Sequence, residues 1–118
     1  MSTERYNASI FGIDSNYYTN DYVAYLWADC AENEYKNSGI FVSAVVEINS
    51  LVCGKILGCE LVETAHIVRT IRNHKEYEDE EKYKTSFLKI LYEVRQKLGN
   101  PNVIITIDKT DFIQFGQL

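Results

Sequence analysis

Residues 83–98 carry the pattern that most restricts this fold. Tyr83, Phe87, Ile90, Leu91, Val94 and Leu98 recur at spacings of 4, 3, 1, 3 and 4, which puts all six on one stripe of an α-helix. Asp79, Glu80 and Glu81 place negative charge at its first turn, and Arg95 and Lys97 followed by Gly99-Asn100-Pro101 mark its end. A helix with one apolar stripe must lay it on another layer. The rest of the chain reads mainly as β-sheet.

Tyr6 to Asp14 is a β-prone run closed by turn-forming Ser15 and Asn16. Asp21 to Asp29 is almost continuously apolar and aromatic, as a central strand covered on both faces would be. Cys30 to Ser38 is a polar break, and Gly39 opens the run I-F-V-S-A-V-V-E-I. These two runs are expected to form an antiparallel hairpin. Gly54 and Gly58 interrupt any longer strand, so a turn is expected between Gly54 and Cys59.

Residues 60–72 carry two readings. Val62, Thr64, Ile67, Val68, Thr70 and Ile71 are β-branched and favour a strand, whereas Leu61, Ala65, Val68 and Arg72 would share a helix face. Asn102 to Asp108 is a last buried strand, and Asp111 to Leu118 a short edge or tail. The expected architecture is one α+β domain over residues 1–118. It has a mainly antiparallel sheet with one long amphipathic helix, and room for a second, on one face. The uncovered face, rich in tyrosine, is expected to self-associate into a homodimer or higher homo-oligomer.

Charge and cysteine usage remove several functions. The 12 basic and 17 acidic residues leave a formal charge of -5, which repels long nucleic acids unless a local cluster of cations meets them. The chain shows neither a signal peptide nor an apolar run long enough for a membrane span, so a cytosolic protein is expected. Cys30, Cys53 and Cys59 form no C-x-x-C pair and read as reduced thiols; with His66 and His74 they lack zinc-site spacing. G-x-x-x-G at Gly54 to Gly58 is neither a P-loop nor a dinucleotide fingerprint, and no cofactor is expected.

Two constellations carry chemistry. Asp14, Glu60 and Asp108 sit at element ends in an order that resembles the metal-binding carboxylates of ribonuclease H-like nucleases, whose two metal ions need converging oxygens. Asp residues that close strands or bind turn amides give the same pattern. A nucleotide pocket is easier to assemble. Arg69 and Arg72, followed by Asn73, His74 and Lys75, form the densest basic stretch, and Arg grips anionic oxygens in a bidentate fork. Phe11, Tyr17, Tyr18, Tyr22, Tyr25 and Trp27 offer rings for stacking on a base.

The stretches Tyr6 to Tyr18, Tyr22 to Trp27, Ser38 to Val46, and the helix leading into N-V-I-I-T-I-D resemble phage-encoded Thoeris anti-defence proteins of the first type. That resemblance implies an oligomeric, non-enzymatic phage sponge that sequesters a cyclic ADP-ribose signal between protomers, without metal. Its expected ligand-binding residues are Arg69, Arg72, Asn73, Phe11, Tyr18 and Trp27. A ribonuclease H-like nuclease and a protein-binding inhibitor without a small ligand are the alternatives.

Overall fold

A computed structural model describes residues 2–52, 54, 56 and 63–116. The elements run β1 (Ser2–Phe11), α1 (Asn20–Ser38), β2 (Val45–Leu51), β3 (Glu63–Ile71), α2 (Glu80–Lys97) and β4 (Asn102–Asp111). The four strands form one sheet in the order β2-β3-β1-β4, every neighbouring pair antiparallel. It follows that β1 is parallel to β2 with β3 between them, and β3 parallel to β4 with β1 between them. Two β-α-β units are thus interleaved in the ferredoxin-like manner. The α+β expectation, with two helices packed on the sheet, describes the protein.

Period-two alternation sets which side of β1 meets the helices. Tyr6, Ala8 and Ile10 are buried, and Tyr6 stacks on Phe87 of α2 with ring centroids 5.1 Å apart. Trp27 of α1 reaches the same Phe87 at 5.6 Å. The stripe on α2 is as expected, with Asp79 as N-cap accepting from the Lys82 amide. The helices are also joined by a polar contact, because Ser86 donates to the buried Glu34 carboxylate at 2.8 Å.

Residues 21–29 are not a strand, and the polar break 30–38 is not a loop; together they form most of α1. Val23, Leu26, Trp27, Cys30, Ala31 and Glu34 are its buried residues, at the 3–4 spacing of a helix stripe. Tyr22, Tyr25 and Tyr35 fill the exposed side, so the segment reads as apolar all round although only one side is covered. Thr19 caps the start by accepting from the Tyr22 amide, and Gly39 ends it in the left-handed region at φ 78°.

The expected 21–29/40–48 hairpin therefore does not form. β2 instead starts at Val45 and pairs with β3, from Val45↔Arg69 to Leu51↔Glu63. Residues 63–71 of the ambiguous segment are strand. The expected turn at Gly54–Cys59 falls largely, and Cys53, Cys59 and Glu60 entirely, outside the described residues. The uncovered face of the sheet is also not the tyrosine-rich surface expected. It displays Arg5, Asn7, Ser9, Thr106 and two half-exposed ion pairs, Arg5–Asp108 and Arg69–Glu47, each 2.6 Å.

Candidate active site

The two helices cover the centre of the sheet and leave β4 at its rim. Val103, Ile105 and Ile107 lie opposite Ile10, Ala8 and Tyr6, so their side chains share the helix-facing side. Ile105 and Ile107 nonetheless stay about 40% exposed. A cleft of about 980 Å³ opens there, between β4 and the flank of α2 formed by the exposed Leu88 and Tyr92 and the buried Leu91. Phe11, Gly12 and Leu51 close its end where β1 and β2 finish, and Glu63 lies there at the start of β3. That volume falls in the range of small-molecule sites.

Among the described residues one cation lines these apolar walls. Arg95 Nε donates to the Pro101 carbonyl at 2.7 Å and Nη2 to the Asn100 carbonyl at 3.5 Å, while the Asn100 amide donates to the Arg95 carbonyl at 2.9 Å. This clasps a sharp corner in which Gly99 and Asn100 both take positive φ, 85° and 59°. The guanidinium is thereby fixed beside the cleft. Arg5, Arg69 and Arg72 each pair with a carboxylate, whereas among the described residues no carboxylate pairs with Arg95.

The residues expected to bind a ligand do not converge. Three positions along a strand reverse the side-chain direction, so Arg69 lies on the uncovered face, paired with Glu47, while Arg72 is buried beneath the helices. Arg72 grips Glu4 through Nε at 2.6 Å and Nη2 at 3.1 Å, and Nη1 donates to the Tyr77 carbonyl at 2.7 Å. Asn73 donates to Gln114 at 3.3 Å and accepts from the Lys75 amide. Trp27 is in the core, its indole donating to the Val42 carbonyl at 3.0 Å. Tyr18 packs against the core from the loop before α1. Phe11 alone lines the cleft.

Nor do the carboxylates of the nuclease reading meet. Asp14 accepts from the Asn16 amide in a local turn, Asp108 pairs with Arg5 on the uncovered face, and Glu60 is outside the described residues. Among the described residues no cluster of three His, Cys, Asp or Glu is placed to hold a metal.

Burial shifts the pKa values of Cys30, Tyr6, Tyr83 and His66. Burial pushes Cys30, Tyr6 and Tyr83 each up to about 12, so all three remain protonated near neutrality. His66 is fully buried and burial lowers its pKa. Its Nε2 lies 2.9 Å from the Tyr18 carbonyl, which only accepts; Nε2 therefore carries the proton, and Nδ1 has no partner. His74 meets Phe112 edge-on at 5.3 Å.

A family profile described as SAM lyase matches residues 1–116. The chain belongs to the SAM lyase family. A phage SAM lyase in its apo state shares the fold at a TM-score of 0.59 and 17% identity, over 92% of this chain and 81% of that one. A phage SAM lyase in complex with S-methyl-5'-thioadenosine gives 0.58 and 16%, over 90% and 80%. The de novo designed protein Foldit4 gives 0.50 and 14%, over 92% and 97%. No curated protein matches the chain.

Membership of the SAM lyase family corrects the functional expectations. A family of lyases replaces the non-enzymatic Thoeris sponge, and S-adenosylmethionine replaces cyclic ADP-ribose as the molecule to consider. The nuclease and the protein-binding inhibitor are set aside on the same finding. Among the described residues of this SAM lyase family member, no helix is long and apolar enough to cross a membrane.

The sequence reading missed Arg95, Tyr92 and Leu88. Arg95 was legible only as a helix-end cation, although it is also the arginine nearest a Gly-Asn-Pro corner. Tyr92 and Leu88 stand just outside the helix stripe, where a widened apolar face was the available signal.

Proposed function

We propose that this chain cleaves S-adenosylmethionine in the cleft between α2 and β4. The family profile spanning residues 1–116 carries the reading. Supporting it, the cleft combines aromatic rings at Phe11 and Tyr92 with the charged side chains of Glu63 and Arg95, and the substrate joins an adenine to a zwitterionic amino acid through a sulfonium. S-Methyl-5'-thioadenosine, the molecule held by a phage relative, is what remains when the bond from sulfur to the four-carbon amino-acid chain breaks.

A lyase breaks that bond without adding water. The electron pair goes to sulfur, and the sulfonium becomes a neutral thioether. The carbon it leaves is satisfied within the departing four-carbon fragment, by a double bond formed with loss of a proton or by ring closure onto its own carboxylate. Charge is lost at the sulfur in this step, so apolar walls such as Leu88, Leu91, Val103 and Ile105 suit it better than water does. Base–aromatic stacking contributes ~1–3 kcal/mol for an adenine on a ring, which is the role proposed for Phe11 and Tyr92.

Incubating the purified protein with S-adenosylmethionine and following the mixture by mass spectrometry tests the reading. Accumulation of S-methyl-5'-thioadenosine in proportion to protein is the expected result. Substrate that persists at the rate of a protein-free control overturns it.

A further inference from the structure

From the bonding of its four arginines, we propose that Arg95 is the substrate-selecting residue of the cleft, receiving the α-carboxylate of the amino-acid part of the substrate. The inference rests on the lyase reading and adds which end of the substrate is read, and by what.

Three of the four arginines are neutralised by the protein itself: Arg5 by Asp108, Arg69 by Glu47 and Arg72 by Glu4. In a chain with 17 acidic and 12 basic residues, carboxylates are in excess, yet none of those described reaches Arg95. Among the described residues it is tethered through the neutral carbonyls of Pro101 and Asn100, which fix the plane of the guanidinium and supply no counter-charge. Nη1 takes no part in these bonds. A planar donor fork held in place, carrying a full charge beside apolar walls, is prepared for a carboxylate at little ordering cost.

The chemistry also selects among anions. Among the described residues Arg95 is the one cation lining the cleft, and Glu63 lines it too. A single guanidinium matches a single negative charge, whereas a phosphate or diphosphate calls for more positive charge than the described walls supply. An amino-acid carboxylate, carried on a molecule that also bears positive charge, fits that balance. Lysine would keep the charge but not the fork, so the two side chains are not equivalent there.

Two thioether nucleosides separate this role from a merely structural one, since both share the adenosine but only one bears a carboxylate. S-Adenosylhomocysteine has the complete amino-acid end; S-methyl-5'-thioadenosine has none. Calorimetric titration of wild type, Arg95→Lys and Arg95→Gln with each is the test, alongside KM and kcat for S-adenosylmethionine. A charge-assisted hydrogen bond corresponds to about tenfold to hundredfold in affinity. Arg95→Gln is therefore expected to weaken S-adenosylhomocysteine by that factor and raise KM, Arg95→Lys to fall between, and S-methyl-5'-thioadenosine to change less than about twofold. Equal weakening of both nucleosides, or of neither, overturns the proposal.

If Arg95→Gln does not fold, the wild-type protein still decides. It is expected to bind S-adenosylhomocysteine about tenfold more tightly than the same thioether lacking its carboxylate, and equal affinity overturns the proposal. Wild-type protein that binds neither nucleoside and leaves S-adenosylmethionine intact overturns the lyase reading itself. Cleavage without carboxylate discrimination overturns only the role of Arg95.

Discussion

Arg72 and Arg95 stand at opposite ends of the sheet and show two uses of the same side chain. At the Arg72 end every guanidinium nitrogen donates: Nε and Nη2 to Glu4, Nη1 to the carbonyls of Tyr77 and Glu78, and Lys109 adds a second cation to Glu4 at 3.0 Å. Thr3 completes the knot by donating to the Arg72 carbonyl at 2.7 Å. At the Arg95 end the guanidinium meets, among the described residues, only carbonyls, and Leu88, Leu91 and Tyr92 line the same cleft. A buried charge that is fully paired specifies how elements fit together. One that is fixed in place but unpaired is available to something outside the chain.

The largest expected effect breaks the closed end. Arg72→Met leaves Glu4 buried with Lys109 as its remaining cation, and should destabilise the fold by ~3–5 kcal/mol in a denaturant titration. Restoring neutrality with Glu4→Gln in the same chain should recover part of that loss. A midpoint unchanged by Arg72→Met would show that the knot does not order the fold.

At the open end, Tyr92→Ala removes a ring that is 61% exposed. Stability should move by less than ~1 kcal/mol, while kcat/KM for S-adenosylmethionine falls about tenfold through lost stacking. A stability loss as large as the activity loss would mean that the cleft is part of the core rather than a site.

Acid should act in two stages, the first at His66 and the second at Glu4 in the closed end. Burial lowers the pKa of His66, so the unfolded chain takes up a proton near the ordinary 6.5 before the folded chain does. Its contribution is complete above that pH and is lost as pH falls towards the folded value. The hydrogen bond from Arg72 holds Glu4 below its ordinary 4.5, so a second loss follows as pH falls below that and through the folded value. Unfolding free energies measured from pH 8 down to about pH 2 check both stages, and His66→Leu should flatten only the first. The smallest effect belongs to the uncovered face, where Arg69→Gln should cost ~0–1 kcal/mol because its partner is half-exposed.

The second helix was legible in the sequence because its exposed side is charged, so the stripe from Tyr83 to Leu98 stands out. The first was hidden by tyrosine. Tyr22, Tyr25 and Tyr35 face solvent with rings that count as apolar in any pattern, and they masked an equally regular series at 23, 26, 27, 30, 31 and 34. Strand β3 was readable from its β-branched residues, but its partners were not, because pairing depends on where the intervening helices return the chain. That reaches the site as well. Arg69 and Arg72 look like one cluster in sequence and are split by the pleat, whereas Phe11, Glu63, Arg95 and Ile105 are distant in sequence and meet at one end of the sheet.

The interleaving also sets the order in which the protein can assemble. Strand β1 is made first, yet it lies between β3 and β4, and its contact from Arg5 to Asp108 spans 103 residues. Both loop closures must be completed before the central strand has its two neighbours, which is the high-contact-order situation that slows folding. During synthesis β1 waits, unpaired on one edge, until the final strand leaves the ribosome. The cleft, which β4 lines, is therefore the last part of this sheet to come into being.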